Sequence, residues 1–450
     1  MKATLKNGLY LLGFSLLASL MASCLGNNYV NDDTYPLTDA ELLSFSLSSD
    51  SVPGLANVVF SIDQEKGLIY NYDSMAYSTQ INDKVIVTYL SGAGTDNILN
   101  ITSGDSIWVK SGDSIDISIP QTIKVFAPNG TTIKDYIVRL NIHQVDPDSM
   151  QYYRIVSNLP FLQTEDTKTV TLNGRFLCYS KINNQIQLHS SSDAINWTQD
   201  AFSGLPVNTV IQGLQSNGTE LFACTDDGDL YVDSIGNQWE SVNRPASIKV
   251  TSILGYLNSG PYQAEGLSLV VETGGINIFA FIDKNLVQWD YDSTAPIPDD
   301  FPLHNFSNYS YQVMYSPRIT VFGGTSLNGV IQNAVWATEN GRYWAKLTGN
   351  VNVFPPVEGA NVFYYNDEFW LINGKSNNGF NSYVYYSIDG GVTWQMKLKN
   401  TQTPEEYPQR YNASIVMADD NKSFYIIGGK QNAVIPDVWK GFLNKMEFDH

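Results

Sequence analysis

Charged residues and histidine are scarce in this chain of 450 residues. Only 16% of the residues are charged, against a usual share of ~25%, and four are histidine. Asp and Glu number 45 against 26 Lys and Arg, which gives a net charge of −19. Because phosphate backbones repel a protein this acidic, the composition argues against a nucleic-acid partner.

Long apolar runs are also missing. The longest leader-like run, Leu9–Met21, has 13 residues, which is short of the ~20 that a membrane-spanning helix needs. It follows Lys2 and Lys6 and ends in small residues directly before Cys24. This pattern predicts a signal peptide over residues 1–23 and resembles the bacterial lipobox, in which the cysteine is acylated and anchors the chain. An ordinary secretory signal is the alternative.

Cysteine is limited to three residues. A short polar segment that begins with Cys24, residues 24–37, is interpreted as a tether. Cys178 and Cys224 lie in apolar, strand-like runs. We interpret them as buried thiols on separate strands, with a disulfide as the alternative in a secreted protein. Neither has a histidine at ligand spacing, so a zinc site is not predicted.

Aromatic, glycine, asparagine and serine residues are abundant, which favours a turn-rich all-β protein. Alternating apolar residues predict short strands throughout residues 38–146. The clearest pair is Ile123–Phe126 and Tyr136–Ile142, separated by the turn residues Pro128-Asn129-Gly130. We predict an immunoglobulin-like β-sandwich here, acting as a spacer, with a linker at Asp146–Ser149.

Tryptophan recurs through the rest of the chain. The spacing between successive members is about that of one four-stranded propeller blade. The repeat therefore predicts a six-bladed β-propeller over residues 147–450. Its members are Trp197, Trp239, Trp289, Trp344, Trp394 and Trp439.

One of these tryptophans ends a recognisable motif. Ser387–Trp394 resembles the Asp-box, Ser-x-Asp-x-Gly-x-Thr-Trp, and residues 337–344 and 191–197 are weaker copies. The aspartate of such a box accepts backbone N–H groups in a tight turn. We therefore assign Asp389 and Asp193 to folding and not to catalysis.

A second pattern overlaps the first. It resembles the kelch repeat, with a buried inner strand that ends in glycine, a loop, and then a strand carrying an aromatic residue. The glycines would let the chain crowd near the axis, where a side chain would clash. The three copies begin with Ile319–Gly324, Phe369–Gly374 and Phe424–Gly429.

The sequence predicts that the last blade is one strand short. After Trp439 we predict one strand, Phe442–Phe448. The strand-like segment Tyr152–Val156, which precedes the first blade, would complete the sheet and close the ring.

This layout resembles a family of Bacteroidetes lipoproteins of unknown function, which have a lipobox, an immunoglobulin-like domain and a kelch/Asp-box propeller. The residues that carry the resemblance are Cys24, the strand Tyr136–His143, the linker, the boxes, and Val438–Asn444. The resemblance implies an outer-membrane location, facing the periplasm or the cell surface. It implies no activity.

The sequence bears on three kinds of site chemistry. A sialidase-type glycoside hydrolase needs three arginines that converge to clamp a carboxylate. The propeller has only six arginines: Arg154, Arg175, Arg244, Arg318, Arg342 and Arg410. Copper chemistry of the galactose-oxidase kind needs more histidine than His189, His304 and His450 provide. Asp226–Asp229 resembles part of a calcium loop, but its position between strands favours a two-residue hairpin turn.

These observations predict a non-catalytic cell-envelope lipoprotein without cofactor or metal. Its propeller would bind a glycan or a protein of the envelope, and the sialidase-like hydrolase is the alternative. The aromatic stretches Phe306–Tyr311 and Phe363–Asn366 are candidates for stacking on sugars, although aromatics in all-β proteins mostly fill cores. No ligand-binding residue is identified from the sequence alone.

Overall fold

A computed structural model of the chain describes residues 38–92, 98–102, 105–164, 167–206, 208–261, 263–349, 352–418 and 420–444. The chain divides into two compact units, residues 1–146 and 147–450. The regular secondary structure of the described residues consists of strands, apart from two short 3-10 turns at Leu55–Asn57 and Lys399–Thr401. The all-β prediction is therefore confirmed. The predicted signal peptide, Cys24 and the tether lie outside the described residues.

The first unit consists of two sheets. One has the order β1-β4-β7, and the other has the order β2-β3-β9-β8-β5-β6. The strands are β1 (Leu42–Ser48), β2 (Phe60–Asp63), β3 (Leu68–Asn71), β4 (Val85–Gly92), β5 (Ile98–Thr102), β6 (Asp105–Trp108), β7 (Ser114–Ile115), β8 (Gln121–Phe126) and β9 (Ile133–Arg139).

Both sheets contribute to one apolar core. Val85 and Val87 of β4 and Ile123 and Val125 of β8 belong to it, and all four are buried. The alternation along each strand places these residues inside and their polar neighbours outside. The predicted hairpin is present as the antiparallel pair β8–β9, whereas β3 pairs with β9 in parallel. That parallel pair departs from the purely antiparallel sheets of immunoglobulin domains.

The described part of the second unit contains six four-stranded antiparallel sheets, here called sheets A to F. Two two-stranded ribbons, β23–β26 and β31–β32, accompany them. From the innermost strand outward, sheet A has β11 (Lys168–Leu172), β12 (Arg175–Ile182), β13 (Gln185–Ser191) and β14 (Thr198–Asp200); sheet B has β15 (Ile211–Ser216), β16 (Leu221–Thr225), β17 (Leu230–Asp233) and β18 (Glu240–Ser241); sheet C has β19 (Lys249–Leu257), β20 (Gly266–Thr273), β21 (Ile276–Asp283) and β22 (Trp289–Pro296).

The remaining sheets follow the same plan. Sheet D has β24 (Ser307–Val313), β25 (Ser316–Phe322), β27 (Val335–Thr338) and β28 (Ala345–Lys346); sheet E has β29 (Asn361–Tyr365), β30 (Glu368–Ile372), β33 (Tyr385–Ser387) and β34 (Gln395–Met396); sheet F has β35 (Ser414–Met417), β36 (Ser423–Ile427), β37 (Val438–Leu443) and β10 (Met150–Val156). The ribbons are β23 (Pro302–His304) with β26 (Thr325–Ser326), and β31 (Lys375–Ser376) with β32 (Gly379–Phe380).

Sheet F joins the two ends of the unit. β10 pairs antiparallel with β37, from Met150 opposite Leu443 to Val156 opposite Val438. The prediction that the segment before the first blade completes the last one is confirmed. The predicted strand Phe442–Phe448 is wrong in its bounds, because Trp439 itself lies inside β37 and residues 445–450 lie outside the described part.

One feature of the kelch interpretation needs correction. The apolar segments that end in glycine form β25, β30 and β36, which are the second strands of their sheets and not the innermost ones. The innermost strand β24 reads SNYSYQV, and its residues are only partly buried. The first two residues of β24, Ser307 and Asn308, line the axial cavity, whereas most residues of the second strand β25 are buried.

Candidate functional site

The innermost strands of the six sheets close a ring around one cavity. Each of the strands β11, β15, β19, β24, β29 and β35 contacts the next, and β35 contacts β11. A cavity of about 810 Å³ lies where these strands begin, and all six contribute to its wall. A propeller presents loops from every blade to a single ligand at this place. This axial cavity is the candidate functional site.

The wall of the axial cavity is mainly polar and uncharged. Among the described residues, its ionisable groups are Lys168, His304, Glu358 and the phenol of Tyr411. The other polar side chains are six carboxamides and seven hydroxyls. They are Gln212, Gln215, Asn305, Asn308, Asn361 and Asn412, with Thr167, Thr169, Thr251, Ser252, Ser307, Thr325 and Ser414.

Several of these polar groups hold the ring together. The side-chain amide of Asn361 donates to the carbonyl of Ala413 at 2.7 Å and links sheet E to sheet F. The amide of Asn308 donates to the carbonyl of Leu254 at 2.9 Å and to Gln215 Oε1 at 3.1 Å. Because these bonds connect different sheets, this part of the polar wall has a structural role of its own.

Other groups of the wall have no such role. Within the described part of the chain, the side chains of Gln212, His304 and Tyr411 form no hydrogen bond to the protein. Glu358 accepts a hydrogen bond from Thr325 Oγ1 at 2.8 Å. Desolvation lowers the pKa of His304, so its imidazole is neutral at pH 7. The cavity therefore offers a ligand hydrogen-bonding groups with little net charge.

The rim of the axial cavity is uneven. In sheets D, E and F the second and third strands are joined by long loops, 323–334, 373–384 and 428–437, whereas sheets A, B and C have short turns there. Gly324, Gly374 and Gly429 begin these loops with φ values of +91°, +101° and +104°. A Cβ on Gly324 would lie 2.7 Å from Phe306 Cβ. The glycines are thus needed where the loop passes the segment before the innermost strand.

Tyr411 is the main aromatic group of this rim. Its ring lies 6.2 Å from that of Phe380, and the ammonium groups of Lys375 and Lys430 lie 5.4 and 5.8 Å from its centroid. An aromatic ring beside an amide-lined cavity is a common arrangement for stacking on the apolar face of a ligand.

A buried arginine lies next to Tyr411 in the chain. Arg410 is 0% exposed and donates to both carboxylate oxygens of Asp437 and to the carbonyl of Gly428. Its guanidinium also lies 4.5 Å from the ring centroid of Tyr407. Sequence reasoning noted Arg410 only as one of six arginines, since nothing around it marks a buried ion pair.

Aspartate-centred turns join the third and fourth strands in sheets A, B, C and E, and a turn centred on Asn340 does so in sheet D. In the turn of sheet E, Asp389 Oδ1 accepts the N–H of Thr393 at 2.9 Å, and Trp394 Nε1 donates to the carbonyl of Gly391. The turn of sheet A places Asp193 and Trp197 in the same way. These contacts support the folding role assigned to Asp389 and Asp193, and neither residue lines the axial cavity.

Two of these turns, in the regions before Trp239 and Trp289, resemble the Asp-box only weakly in the sequence. Asp233 accepts the N–H groups of Ile235 and Gly236, both at 2.8 Å, and Asp283 accepts those of Val287 and Gln288. Their loops lack the Ser-x-Asp-x-Gly spacing, which is why the resemblance is weak. Sheet F has no turn of this kind because its fourth strand comes from the other end of the unit.

The arginines of the unit do not meet in the axial cavity. Each of five pairs with a different carboxylate: Arg175 with Asp200, Arg244 with Asp229, Arg318 with Glu339, Arg342 with Asp290, and Arg410 with Asp437. Arg154 lies exposed on β10. The carboxylate clamp of a sialidase is therefore not assembled by the residues that line this cavity.

The candidate metal loop forms a turn. Thr225 and Asp229 are joined through their backbones, and Asp226 accepts hydrogen bonds from Thr209 and Val210. The turn spans four residues and not the two predicted. Among the described residues, no group of three or more His, Cys, Asp or Glu side chains is arranged to hold a metal ion.

The remaining candidates lie in cores. Cys178 and Cys224 are unpaired and buried on β12 and β16, as interpreted from the sequence. Tyr309 and Tyr311 pack against Phe369, and Phe363 packs against Phe424. Of the aromatic side chains in the two stretches, only that of Phe306 lines the axial cavity.

The ring of sheets, with a cavity at its axis, defines the second unit as a β-propeller. Residues 146–450 match the family described as the DUF6242 beta propeller domain. Residues 30–140 match the family described as the domain of unknown function (DUF6242) N-terminal domain. The chain belongs to the DUF6242 family.

The other comparisons add little. A solved structure titled "Structure of YjhT" is 12% identical to this chain, with a TM-score of 0.45, and the match covers 63% of this chain and 96% of the other. A likeness of this size carries no argument about function. The comparison with curated proteins found no match. Over the described residues, no helix is long and apolar enough to cross a membrane.

Proposed function

We propose that this protein is a non-catalytic binding protein of the cell envelope whose axial cavity takes a segment of an uncharged glycan. The observation that carries the proposal is the wall of the axial cavity, with its six carboxamides, seven hydroxyls and few ionisable side chains. Sugars offer many hydroxyl groups that both donate and accept, which neutral amides and hydroxyls match without the cost of burying a charge.

The geometry of the rim supports the same ligand class. Tyr411 offers a ring face on which a sugar could stack. Gln212 and His304, in the wall of the same cavity, have no hydrogen bond to the protein within the described residues. The hydrolase alternative lacks support, because among the described residues no arginine and one carboxylate, that of Glu358, line the axial cavity. Glycoside hydrolysis ordinarily needs two carboxyl groups that flank the bond.

We also propose that acyl chains on Cys24 tether the chain to the outer membrane. This rests on the sequence pattern of residues 1–24 alone. Replacement of Cys24 by serine should release the protein from the membrane fraction and abolish incorporation of labelled fatty acid. An unchanged distribution and unchanged labelling would contradict the tether.

A glycan array followed by mass spectrometry of the retained glycans tests the binding role. Selective retention of intact neutral glycans is expected. Trimmed glycans would show that the protein is an enzyme. If no glycan is retained or trimmed, the glycan proposal is wrong, and a protein partner becomes the hypothesis to test by pull-down from envelope extracts.

Matched variants test whether the glycan binds in the axial cavity. Gln212→Ala and Tyr411→Phe should each weaken binding about tenfold, the usual effect of one lost hydrogen bond. Gln312→Ala is the control, because Gln312 is an exposed glutamine towards the other end of β24 and does not line the cavity. Equal losses in all three variants would contradict the assignment of the site.

A further inference from the structure

A second pocket lies outside the axial cavity, beside sheet A. It has a volume of about 560 Å³, and its wall includes Phe161, His189 and Trp197. The ring of His189 stacks on that of Phe161 with centroids 3.9 Å apart and planes 6° from parallel. Trp197 lies 5.5 Å from Phe161. No catalytic or binding role has been assigned to this place so far.

Sheet D shows what the same position looks like when it is filled. His189 precedes the tryptophan of its turn, Trp197, by eight residues, and Trp336 precedes Trp344 by eight. His189 on β13 pairs with Gln199 on β14, and Trp336 on β27 pairs with Lys346 on β28. Trp336 is therefore the counterpart of His189.

The aromatic partners correspond as well. Phe301 lies 5.4 Å from both Trp336 and Trp344, as Phe161 lies next to both His189 and Trp197. In sheet D this group is a closed core in which Phe301 is 0% and Trp336 is 6% exposed. Sheet A thus has an imidazole at the position where sheet D has the larger indole.

A second difference concerns the cover over this position. In sheet D, Lys346 Nζ donates to Asp300 Oδ2 at 2.7 Å. This ion pair joins the outermost strand, which carries Lys346, to the residue that precedes Phe301. The counterparts in sheet A are Gln199 and Pro160, and both line the pocket. A proline has no side-chain group with which to form such a bridge. Both changes leave sheet A open where sheet D is closed.

The side chains that line this second pocket determine which class of ligand it can bind. Val156, Ile182 and Ile195 add apolar surface, and the exposed amides of Asn158 and Gln199 stand at its edge. The imidazole of His189 is 8% exposed, and its Nδ1 atom has no hydrogen-bond partner among the described residues. Desolvation lowers the pKa of His189, so the ring is neutral at pH 7.

We propose that this pocket is a second ligand site, which binds a small, uncharged, planar aromatic molecule of indole size. The ligand occupies the pocket beside His189, which is open because the imidazole is smaller than the indole of Trp336, and it packs against Phe161, His189 and Trp197. Aromatic packing of this kind adds selectivity over a saturated ring of equal size. The site is independent of the glycan proposed for the axial cavity.

Binding of indole to the purified full-length protein, measured by ligand-observed NMR titration, tests the proposal. His189→Trp should fill the pocket as Trp336 does in sheet D and weaken indole binding at least tenfold. Ile195→Trp should block the pocket at its exposed edge and weaken indole binding to a similar extent. Because the side chain of Ile195 is about half exposed, this substitution does not alter the core. Benzyl alcohol should bind more tightly than cyclohexylmethanol, its saturated counterpart.

The chain offers a matched control. Ile235 is the second residue after Asp233, as Ile195 is the second after Asp193, and both are about half exposed. Ile235→Trp should leave indole binding within twofold of the wild type, and so should Gln212→Ala in the axial cavity. Absence of indole binding at millimolar concentration, equal binding to all variants, or no preference for the aromatic alcohol would each overturn the proposal.

Discussion

The guanidinium of Arg410 donates to both carboxylate oxygens of Asp437, at 2.5 and 3.2 Å, and both side chains are shielded from solvent. Arg410 precedes Tyr411 at the rim of the axial cavity. Asp437 precedes β37, the strand that pairs with β10. One buried ion pair therefore connects the rim, where we place ligand binding, with the sheet that closes the ring.

Loss of this ion pair should destabilise the second unit strongly. Arg410→Leu leaves the carboxylate of Asp437 buried, with Trp439 Nε1 as its remaining side-chain donor among the described residues, and such a change costs about 3–5 kcal/mol. Arg318→Leu is the control, because its partnership with Glu339 is partly exposed and should contribute about 0–1 kcal/mol. Free energies of unfolding from denaturant titration distinguish the two, and equal losses would contradict the role of the buried pair.

The aspartate-centred turns should give a dependence of stability on pH. Hydrogen bonds, led by the backbone N–H of Asn196, lower the pKa of Asp193 to about 2 in the folded protein. The carboxyl of an unfolded chain titrates near 3.9. The contribution of the charged form is therefore complete above about pH 4 and is lost as the pH falls towards 2. The unfolding temperature of wild type should exceed that of Asp193→Asn at pH 7, and the difference should shrink to nothing near pH 2.

Sheet D provides the reverse substitution as a control. Asn340 accepts the N–H groups of Arg342 and Tyr343 at 3.0 and 2.9 Å, as an aspartate does in the other turns. Asn340→Asp should raise the unfolding temperature at neutral pH and lose that gain at low pH. A pH-independent difference in both variants would mean that the charge of these turns does not contribute.

The fold could be predicted because its signals are local and repeated. The hairpin at β8–β9, the turns at Asp193 and Asp389, and the closing segment Tyr152–Val156 each follow from short patterns of alternation and turn residues. The second strands were mistaken for the innermost ones because burial on both faces makes a strand apolar. The alternation of β24 is weaker, since one side of that strand faces a polar cavity.

The candidate site could not be predicted in the same way. Gln212, His304 and Tyr411 come from three different sheets or the segments before them, and no spacing along the chain relates them. The ion pair between Arg410 and Asp437 likewise joins residues 27 positions apart. Such groups are brought together only by closure of the ring, which a sequence pattern does not encode residue by residue.

The two buried cysteines should be chemically inert. Burial raises the pKa of Cys178 to about 12 and that of Cys224 to about 11, so neither forms an appreciable thiolate at pH 8. Iodoacetamide should leave both unmodified in the native protein and modify both after denaturation, as read by mass spectrometry of the peptides. Native labelling of one cysteine at the rate of a free thiol would show that its strand opens.

The pairing of β10 with β37 should determine whether the second unit folds as a closed ring. A chain of residues 147–450 keeps this pair, whereas a chain of residues 158–450 exposes the edge of β37. Because an unpaired edge is both less stable and prone to self-association, the shorter chain should unfold several degrees lower and elute as larger species in size-exclusion chromatography. Tyr153→Ala in the longer chain is the control, since Tyr153 is 53% exposed and its loss leaves the backbone pairing intact. If the shorter chain stays monomeric and unfolds at the temperature of the longer one, β10 is not what closes the ring.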